Sequence, residues 1–381
     1  MMDMEAFRKL IDAADEGLLK SFISRMETAA DIAVYKQQNN LPIFDSERER
    51  QKTIEILEHT PKELKSYAAA LYQQLFDLSR NYQEQTIRPG SPLVETITGA
   101  IENTDRNFPK NPTVACQGIE GAYSQLACEK LFSLPNIMYC SSFESVFSAV
   151  NAGLCRYGVL PIENSTAGSI NIIYDLMMHY HFYIVRSTRL KVNHNLLTKP
   201  GTKMENIKEI FSHEQAIMQC AELIKSLGDV KITTCANTAI AAQKVANSDR
   251  SDVAALSSRY CAELYGLDCL VESAQDKGNN FTRFITISKN LEIYPGSDKT
   301  SVKLVVAHKP GSLYRILSRL NALGININKL ESRPIPDRDF EFMLYFDLDT
   351  PIYSEEFLEL INSLDLTCEQ FEYLGSYLEV I

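Results

Sequence analysis

The chain has 381 residues, enough for two to three domains at roughly 150 residues each. Hydrophobic residues make up 45% and charged residues 23%, which excludes wholesale disorder. Lys and Arg total 38 against 49 Asp and Glu, a formal charge of −11 that disfavours a nucleic-acid binder, and no apolar run reaches the ~18 residues of a membrane span. Residues 1–88 contain one glycine, Gly17, with prolines at Pro42 and Pro61, and read as all-helical. A first helix is predicted over about 5–39, with Phe7, Leu10, Ile11, Leu18, Leu19, Phe22, Ile23, Met26, Ala30 and Ala33 at three-and-four spacing. A second opens at Asp45-Ser46-Glu47-Arg48-Glu49, where Ser46 and Glu49 make a capping-box pattern, and a third at Thr60-Pro61-Lys62-Glu63. The first helix is a rod of roughly 50 Å. The two shorter helices cannot cover its stripe, so an intertwined helical dimer is predicted.

Residues 89–111, opening on Arg88-Pro89-Gly90-Ser91-Pro92, read as a linker with a weak helical patch. From 112 to 290 short β-branched runs alternate with helical stretches, the pattern of an α/β domain. Residues 299–381 read strand (301–307), helix (312–323), strand (325–333), strand (340–347), helix (354–363), strand (370–378), the ferredoxin-like βαββαβ order. The N-terminus, MMDMEAFRKL, has acidic residues where a signal peptide is basic, and none of the nine cysteines forms a C-x-x-C pair. Together these predict reduced thiols in the cytoplasm.

In the helical zone Arg25 and Lys36, eleven residues apart, share a face to within about 20°. Arg8 lies seventeen residues before Arg25, about 25 Å along the rod. The two cannot grip one small molecule in one chain, but an antiparallel dimer brings Arg8 of one chain to Arg25 and Lys36 of the other. Asp45 with Glu49, and Ser79 with Gln83, are i,i+4 pairs on the neighbouring helices. The set suits a small dicarboxylate. The first 85 or so residues resemble the helical chorismate mutase family. The resemblance implies that Arg8 from the partner, Arg25 and Lys36 hold the substrate carboxylates and ether oxygen. Asp45 and Glu49 would orient the ring hydroxyl, Ser79 and Gln83 complete the wall, and Lys36 and Gln83 face the charge growing on the breaking ether.

Three polar clusters end apolar runs in the α/β zone: the loop from Gly158 through Pro161-Ile162-Glu163-Asn164-Ser165-Thr166 to Gly168, Ser212-His213-Glu214-Gln215 with Gln219, and Gln275-Asp276 with Gly278-Asn279-Asn280-Phe281-Thr282-Arg283-Phe284. Together they resemble the prephenate dehydratase family over about 175 residues. The resemblance implies a two-lobed fold with the site between lobes. Thr282 would be the key catalytic residue, Glu163 and Asn164 would line the site, Ser212 and Gln219 would bind or orient the substrate, and Arg283 would pair with a carboxylate. Glu214 stands where the family usually has proline, and Ser187 where an acidic residue is common. His179 and His181 alternate without a third ligand, and there is no Walker loop or G-x-G-x-x-G. Neither a metal nor a cofactor is indicated.

In the last zone Gly311-Ser312-Leu313 opens a helix after His308-Lys309-Pro310, and Glu331-Ser332-Arg333-Pro334 ends a strand. On βαββαβ order these resemble the phenylalanine-binding ACT domain, with Ser312 where the family usually has alanine. The whole order is similar to the bifunctional chorismate mutase–prephenate dehydratase family. It implies conversion of chorismate to prephenate and of prephenate to phenylpyruvate, with feedback by phenylalanine in a homodimer or higher oligomer, and no nucleic-acid or membrane partner. The alternatives are a chain retaining one of the two activities, and a non-catalytic sensor of an aromatic metabolite.

Overall fold

The computed structural model describes residues 3–87, 90–309, 311–335, 338 and 341–381. Arg88, Pro89, Pro310 and Phe340, on which parts of the readings above fall, lie outside the described residues.

Three helices open the chain: α1 (Met4–Gln38), α2 (Ser46–Glu58) and α3 (Lys65–Ile87). Two starts differ from the sequence expectation. The cap of α2 is Asp45, not Ser46, and its carboxylate accepts from Arg48 N at 3.0 Å. Asp caps as well as Ser and adds a favourable charge at the helix N-terminus; Glu49 is then free of a capping role. The third helix is entered through a 3-10 turn over Lys62–Leu64, because the Thr60 hydroxyl turns back to Ile56 O at 2.7 Å instead of capping forward. Only the C-terminal half of α1 packs on α3, burying Ala29 and Ala33. Phe7, Leu10, Ile11, Leu18, Leu19 and Ile23 stay about half exposed or more, from 47% to 62%.

The stretch expected to be a linker carries α4 (Pro92–Asn103), capped by Ser91, with Ile97 fully buried. Its apolar face is too short to stand out in sequence. Leu93, Val94, Ile97 and Ile101 find their partners, among them Ile293 and Leu360, far along the chain.

The first lobe of the α/β region contains β1 (Thr113–Gln117), α5 (Tyr123–Leu131), β2 (Asn136–Cys140), α6 (Phe143–Asn151), β3 (Tyr157–Asn164), β4 (Gly168–Ser169), α7 (Asn171–Tyr180) and β5 (Tyr183–Lys191). The chain then crosses to the second lobe, β6 (Asn195–Thr198), β7 (Glu209–Ser212), α8 (Glu214–Gln219), α9 (Ala221–Ser226), β8 (Lys231–Thr234), α10 (Thr238–Asn247), β9 (Val253–Ser257), α11 (Arg259–Tyr265) and β10 (Asp268–Val271), and returns on β11 (Phe281–Ser288). The lobes have separate sheets, ordered β5-β11-β3-β1-β2 and β10-β6-β9-β7-β8. Two chain crossings, at 192–194 and 272–280, join them.

The C-terminal elements are β12 (Lys299–Val305), α12 (Ser312–Ala322), β13 (Asn326–Pro334), β14 (Phe342–Asp349), α13 (Glu355–Thr367) and β15 (Gln370–Val380), in sheet order β13-β14-β12-β15. One face of this sheet packs on α12, α13 and α4. The other meets the first lobe, where Tyr345 and Tyr377 join Tyr174, Met177 and Ile184. The two sheets are continuous, because the end of β15 runs parallel to β5, Glu379 opposite Ser187. Gly375 permits this close approach: its φ is 130°, and a Cβ there would lie 2.2 Å from Ile184 O.

Candidate active sites

In the helical unit, α1, α2 and α3 enclose a cavity of about 940 Å³ lined by Arg25, Lys36, Asp45, Glu49, Ser79 and Gln83. Six of the seven predicted residues therefore converge. Arg8 does not: it is exposed near the start of α1, beyond Lys20, the first lining residue of that helix. The Lys36 ammonium donates to Ile43 O at 2.5 Å, which holds a long side chain at the cavity wall. Arg25 stacks over the Phe76 ring, 5.7 Å from its centroid. Ser79 Oγ donates back to Leu75 O at 2.8 Å, and the buried Gln83 Oε1 has no hydrogen-bond partner. Four further lining cations were missed, Lys20, Lys52, Arg48 and Arg80, and the last two had a signal in the sequence. Their signal was helical spacing: Arg48 lies one turn from Asp45, and Arg80 one turn from both Phe76 and Gln83. The wall also touches the C-terminal elements, where Arg315 Nη1 on α12 is 3.9 Å from Asp77 and Nη2 donates to Ser312 Oγ at 3.2 Å.

Between the two lobes lies a second cavity, of about 270 Å³, lined among others by Asn164, His194, His213, Gln219 and Thr282. Its floor is the antiparallel pair β3–β11, in which Thr282 stands opposite Asn164. Asn164 Oδ1 accepts from Thr166 N at 3.0 Å, Thr166 Oγ1 at 2.7 Å and Ala167 N at 3.0 Å, so the side chain closes the loop after β3. Its amide donates to Asn280 Oδ1 at 2.7 Å and to Thr282 Oγ1 at 2.9 Å. A hydroxyl that accepts from an amide keeps its own proton to donate elsewhere, and Thr282 lines the cavity. Gln219 bridges the lobes: its Oε1 accepts from Asn280 Nδ2 at 2.8 Å, and its Nε2 donates to Thr166 Oγ1 at 2.7 Å. His194 Nε2 is 3.1 Å from Gln219 Oε1, while its Nδ1 is buried without a partner. Burial holds this imidazole below the usual histidine range.

Three predicted residues do not line this cavity. Ser212 is fully buried and donates to Leu256 O at 2.7 Å; the chain turns one residue later, and His213 lines the cleft instead. Glu163 and Arg283 do not line it either; with Asn164 they line a neighbouring cavity of about 660 Å³ beside the end of β15. Successive strand residues point to opposite faces, so with Asn164 and Thr282 facing the cleft, Glu163 and Arg283 face the C-terminal sheet. There Arg283 Nη1 meets Glu163 Oε1 at 3.0 Å, and Nη2 meets Asp347 Oδ2 at 2.6 Å and Tyr377 Oη at 3.2 Å. Lys329 donates to Glu163 Oε2 at 2.6 Å. Burial alone would raise the Glu163 carboxyl, but the Arg283 and Lys329 charges outweigh it and hold it below the usual range. Of the two departures from the family pattern, Ser187 is buried in β5 and Glu214 is exposed at the start of α8; neither lines the cleft.

The Arg283 network allows a direct test. Arg283→Met is expected to lower the unfolding free energy by about 3–5 kcal/mol, because Asp347 loses its counter-charge in a desolvated place and Glu163 keeps only Lys329. Denaturant unfolding monitors the loss. A tenfold rise in the prephenate KM at unchanged stability would instead return Arg283 to the substrate.

The two predicted regulatory motifs have different neighbours. Gly311 (φ 85°) caps α12, Ser312 is buried, and Leu313 packs into the C-terminal core. On β13, Glu331 accepts from Ser169 Oγ, and Arg333 holds Asp175 through Nη2 at 2.8 and 3.0 Å, so both reach into the first lobe. Ser332 and Pro334 pair with Leu344 and Phe342 of β14. His181, at the C-terminal end of α7, lies 3.0 Å from Glu372 Oε1.

One chain thus carries a helical cavity rich in cations and a separate cavity between the lobes. The family model for chorismate mutase type II matches residues 7–84, and that for prephenate dehydratase matches residues 114–292. A bifunctional chorismate mutase/prephenate dehydratase of Buchnera aphidicola is 30% identical over 97% of this chain and 95% of its own length. An arogenate dehydratase/prephenate dehydratase of Arabidopsis thaliana is 37% identical over 69% of this chain and 71% of its own. The crystal structure of a prephenate dehydratase from Arthrobacter aurescens in complex with L-Phe superposes with a TM-score of 0.63 at 25% identity, covering 70% of this chain and 89% of that one. The chain belongs to the bifunctional chorismate mutase/prephenate dehydratase family. It rearranges chorismate to prephenate and converts prephenate to phenylpyruvate in phenylalanine biosynthesis. Among the described residues no helix is long and apolar enough to cross a membrane.

Proposed function

We propose that the helical cavity is the mutase site, the interlobe cleft the dehydratase site, and the C-terminal βαββαβ unit an ACT domain through which phenylalanine feeds back. The rearrangement is unimolecular and needs no nucleophile or proton shuttle. Arg25 and Lys36 hold a compact dianionic conformer, with Arg8 supplied by a second chain. Lys36 and Gln83 donate to the ether oxygen as its bond breaks. The uncovered α1 stripe from Phe7 to Ile23 supports an intertwined homodimer as the source of that Arg8.

In the dehydratase step prephenate loses its ring hydroxyl as water and its ring carboxylate as carbon dioxide, and aromatisation drives both. Thr282, its oxygen held by the Asn164 amide, donates a hydrogen bond to the leaving hydroxyl and relays to it a proton taken up from solvent, so that its own hydroxyl is restored. Gln219 and His213 bind from the second lobe. A cytoplasmic location fits the nine cysteines, which are free in this fold.

One observation carries the feedback reading: the strands that present Asn164 and Thr282 to the cleft carry, on their reverse face, Glu163 and Arg283 bound to Asp347, Tyr377 and Lys329 of the C-terminal unit. A ligand that favours one arrangement of that unit over another acts on the floor of the cleft. The test is purified protein incubated with chorismate, following prephenate and phenylpyruvate with and without phenylalanine. Phenylpyruvate formation that falls on adding phenylalanine is expected. An unchanged rate overturns the feedback reading, and faster turnover of arogenate than of prephenate reassigns the substrate.

A further inference from the structure

We infer that Arg80 is a positioning residue of the mutase, acting through Glu49; the inference rests on the reading of Glu49 as a substrate contact. Arg80 lines the mutase cavity one residue beyond Ser79. Its guanidinium is held on three sides: Nη1 pairs with Glu49 Oε1, Nη2 pairs with Asp77 Oδ1, and the plane lies over the Phe44 ring, 5.1 Å from its centroid. The side chain is 16% exposed, so the pairing lies well inside the wall and is weakly screened. Three separate segments meet on it: α3, the start of α2 and the turn before α2.

The clamp solves a problem of charge. The substrate is a dianion, yet the wall presents two carboxylates, Asp45 and Glu49, as acceptors for its hydroxyl. An uncompensated carboxylate facing a dianion repels it, and a mobile one does not orient a hydroxyl. Arg80 engages one oxygen of Glu49, offsets its charge and fixes its plane, and so leaves the second oxygen available to the ligand. The two diverging N–H groups of a guanidinium reach Glu49 and Asp77 together; a lysine ammonium offers a point charge and cannot reproduce that fork.

The test is a double-mutant cycle on the full chain, with mutase kcat and KM measured for Arg80→Gln, Glu49→Gln and the double variant. Because the charge balance acts on bound substrate and transition state alike, Arg80→Gln is expected to raise the chorismate KM about tenfold with a smaller change in kcat. Arg80→Lys should recover less than half of that loss. In the Glu49→Gln background the Glu49 charge is gone and the Asp77 that Arg80 also pairs with is not a lining residue, so Arg80→Gln should then change KM by less than about twofold. If Arg80→Gln does not fold, as judged by far-UV circular dichroism, Asp77→Asn keeps the cation but removes its anchor, and should raise KM about threefold.

The outcomes separate the two readings. A Glu49→Gln variant with wild-type constants overturns the role of Glu49, and this inference with it. An impaired Glu49→Gln on which Arg80→Gln acts by its full factor overturns the role of Arg80 alone. An unchanged KM in Arg80→Gln, or in Asp77→Asn if that is the variant that folds, overturns it too.

Discussion

Thr282→Ala is expected to lower kcat for phenylpyruvate formation by about 10²- to 10⁴-fold, the range for losing a positioned group that passes a proton to the reacting centre. The geometry explains why so small a group matters. Thr282 stands opposite Asn164 across two paired strands, and the Asn164 amide fills one acceptor direction of its oxygen at 2.9 Å. The hydroxyl proton is thereby aimed rather than free to rotate, although a threonine hydroxyl is a weak acid in water. Thr282→Ser, which keeps the oxygen but loses the branching that stiffens χ1, should retain most of the rate. The loss should appear in kcat, because the donor matters most as the hydroxyl departs, and mutase activity on chorismate should stay within about twofold since that site lies on other helices. Steady-state assay of each step with its own substrate decides this. A Thr282→Ala enzyme that turns prephenate over at the wild-type rate removes Thr282 from the reaction.

Lys36→Ala is expected to lower the mutase kcat about 10²- to 10³-fold, the cost of removing one preorganised donor to a developing oxyanion. The ammonium is fixed in place by its bond to Ile43 O, so little reorganisation is left to make at the moment of reaction. A pericyclic step has no covalent fallback, and positioning and electrostatics supply the whole acceleration. The variant should still convert added prephenate to phenylpyruvate. Arg8→Ala should produce a second phenotype: because Arg8 lies outside the cavity of its own chain, inactive Arg8→Ala and Lys36→Ala chains should recover part of the rate when mixed and allowed to exchange. Activity that stays at the level of either parent in such mixtures argues against a shared site.

Much of both sites was legible in sequence. The set proposed for the mutase lies on helices, where a fixed angular step relates Arg25 to Lys36 and i,i+4 spacing relates Asp45 to Glu49 and Ser79 to Gln83, while the family resemblance joined the three pairs; the six do line one cavity. The dehydratase loops were visible because polar clusters at strand ends interrupt apolar runs, and Asn164, Gln219 and Thr282 do meet in one cleft. What failed in that region was the phase of alternation. Neighbours in a strand face opposite ways, but the sequence marks neither face of β3 or β11 as polar, because both are covered. Asn164 and Thr282 meet the second lobe, while Glu163 and Arg283 meet charged groups of the C-terminal unit. Arg283 and Asp347 are 64 residues apart, and no local pattern announces their pairing.

The sequence by itself determined the order of three units, the long apolar stripe of α1, the loops that carry Asn164 and Thr282, and the βαββαβ succession, because each is written in local periodicity or in adjacent residues. The tertiary structure alone decided that Ser212 is sealed under Leu256 O, that α4 docks on the C-terminal core, that β15 extends the sheet of the first lobe past Gly375, and that Glu163 and Arg283 pair with charged groups of the C-terminal unit. Each of these depends on which surface of an element a distant segment covers, and that is settled by burial and charge pairing across the assembled chain.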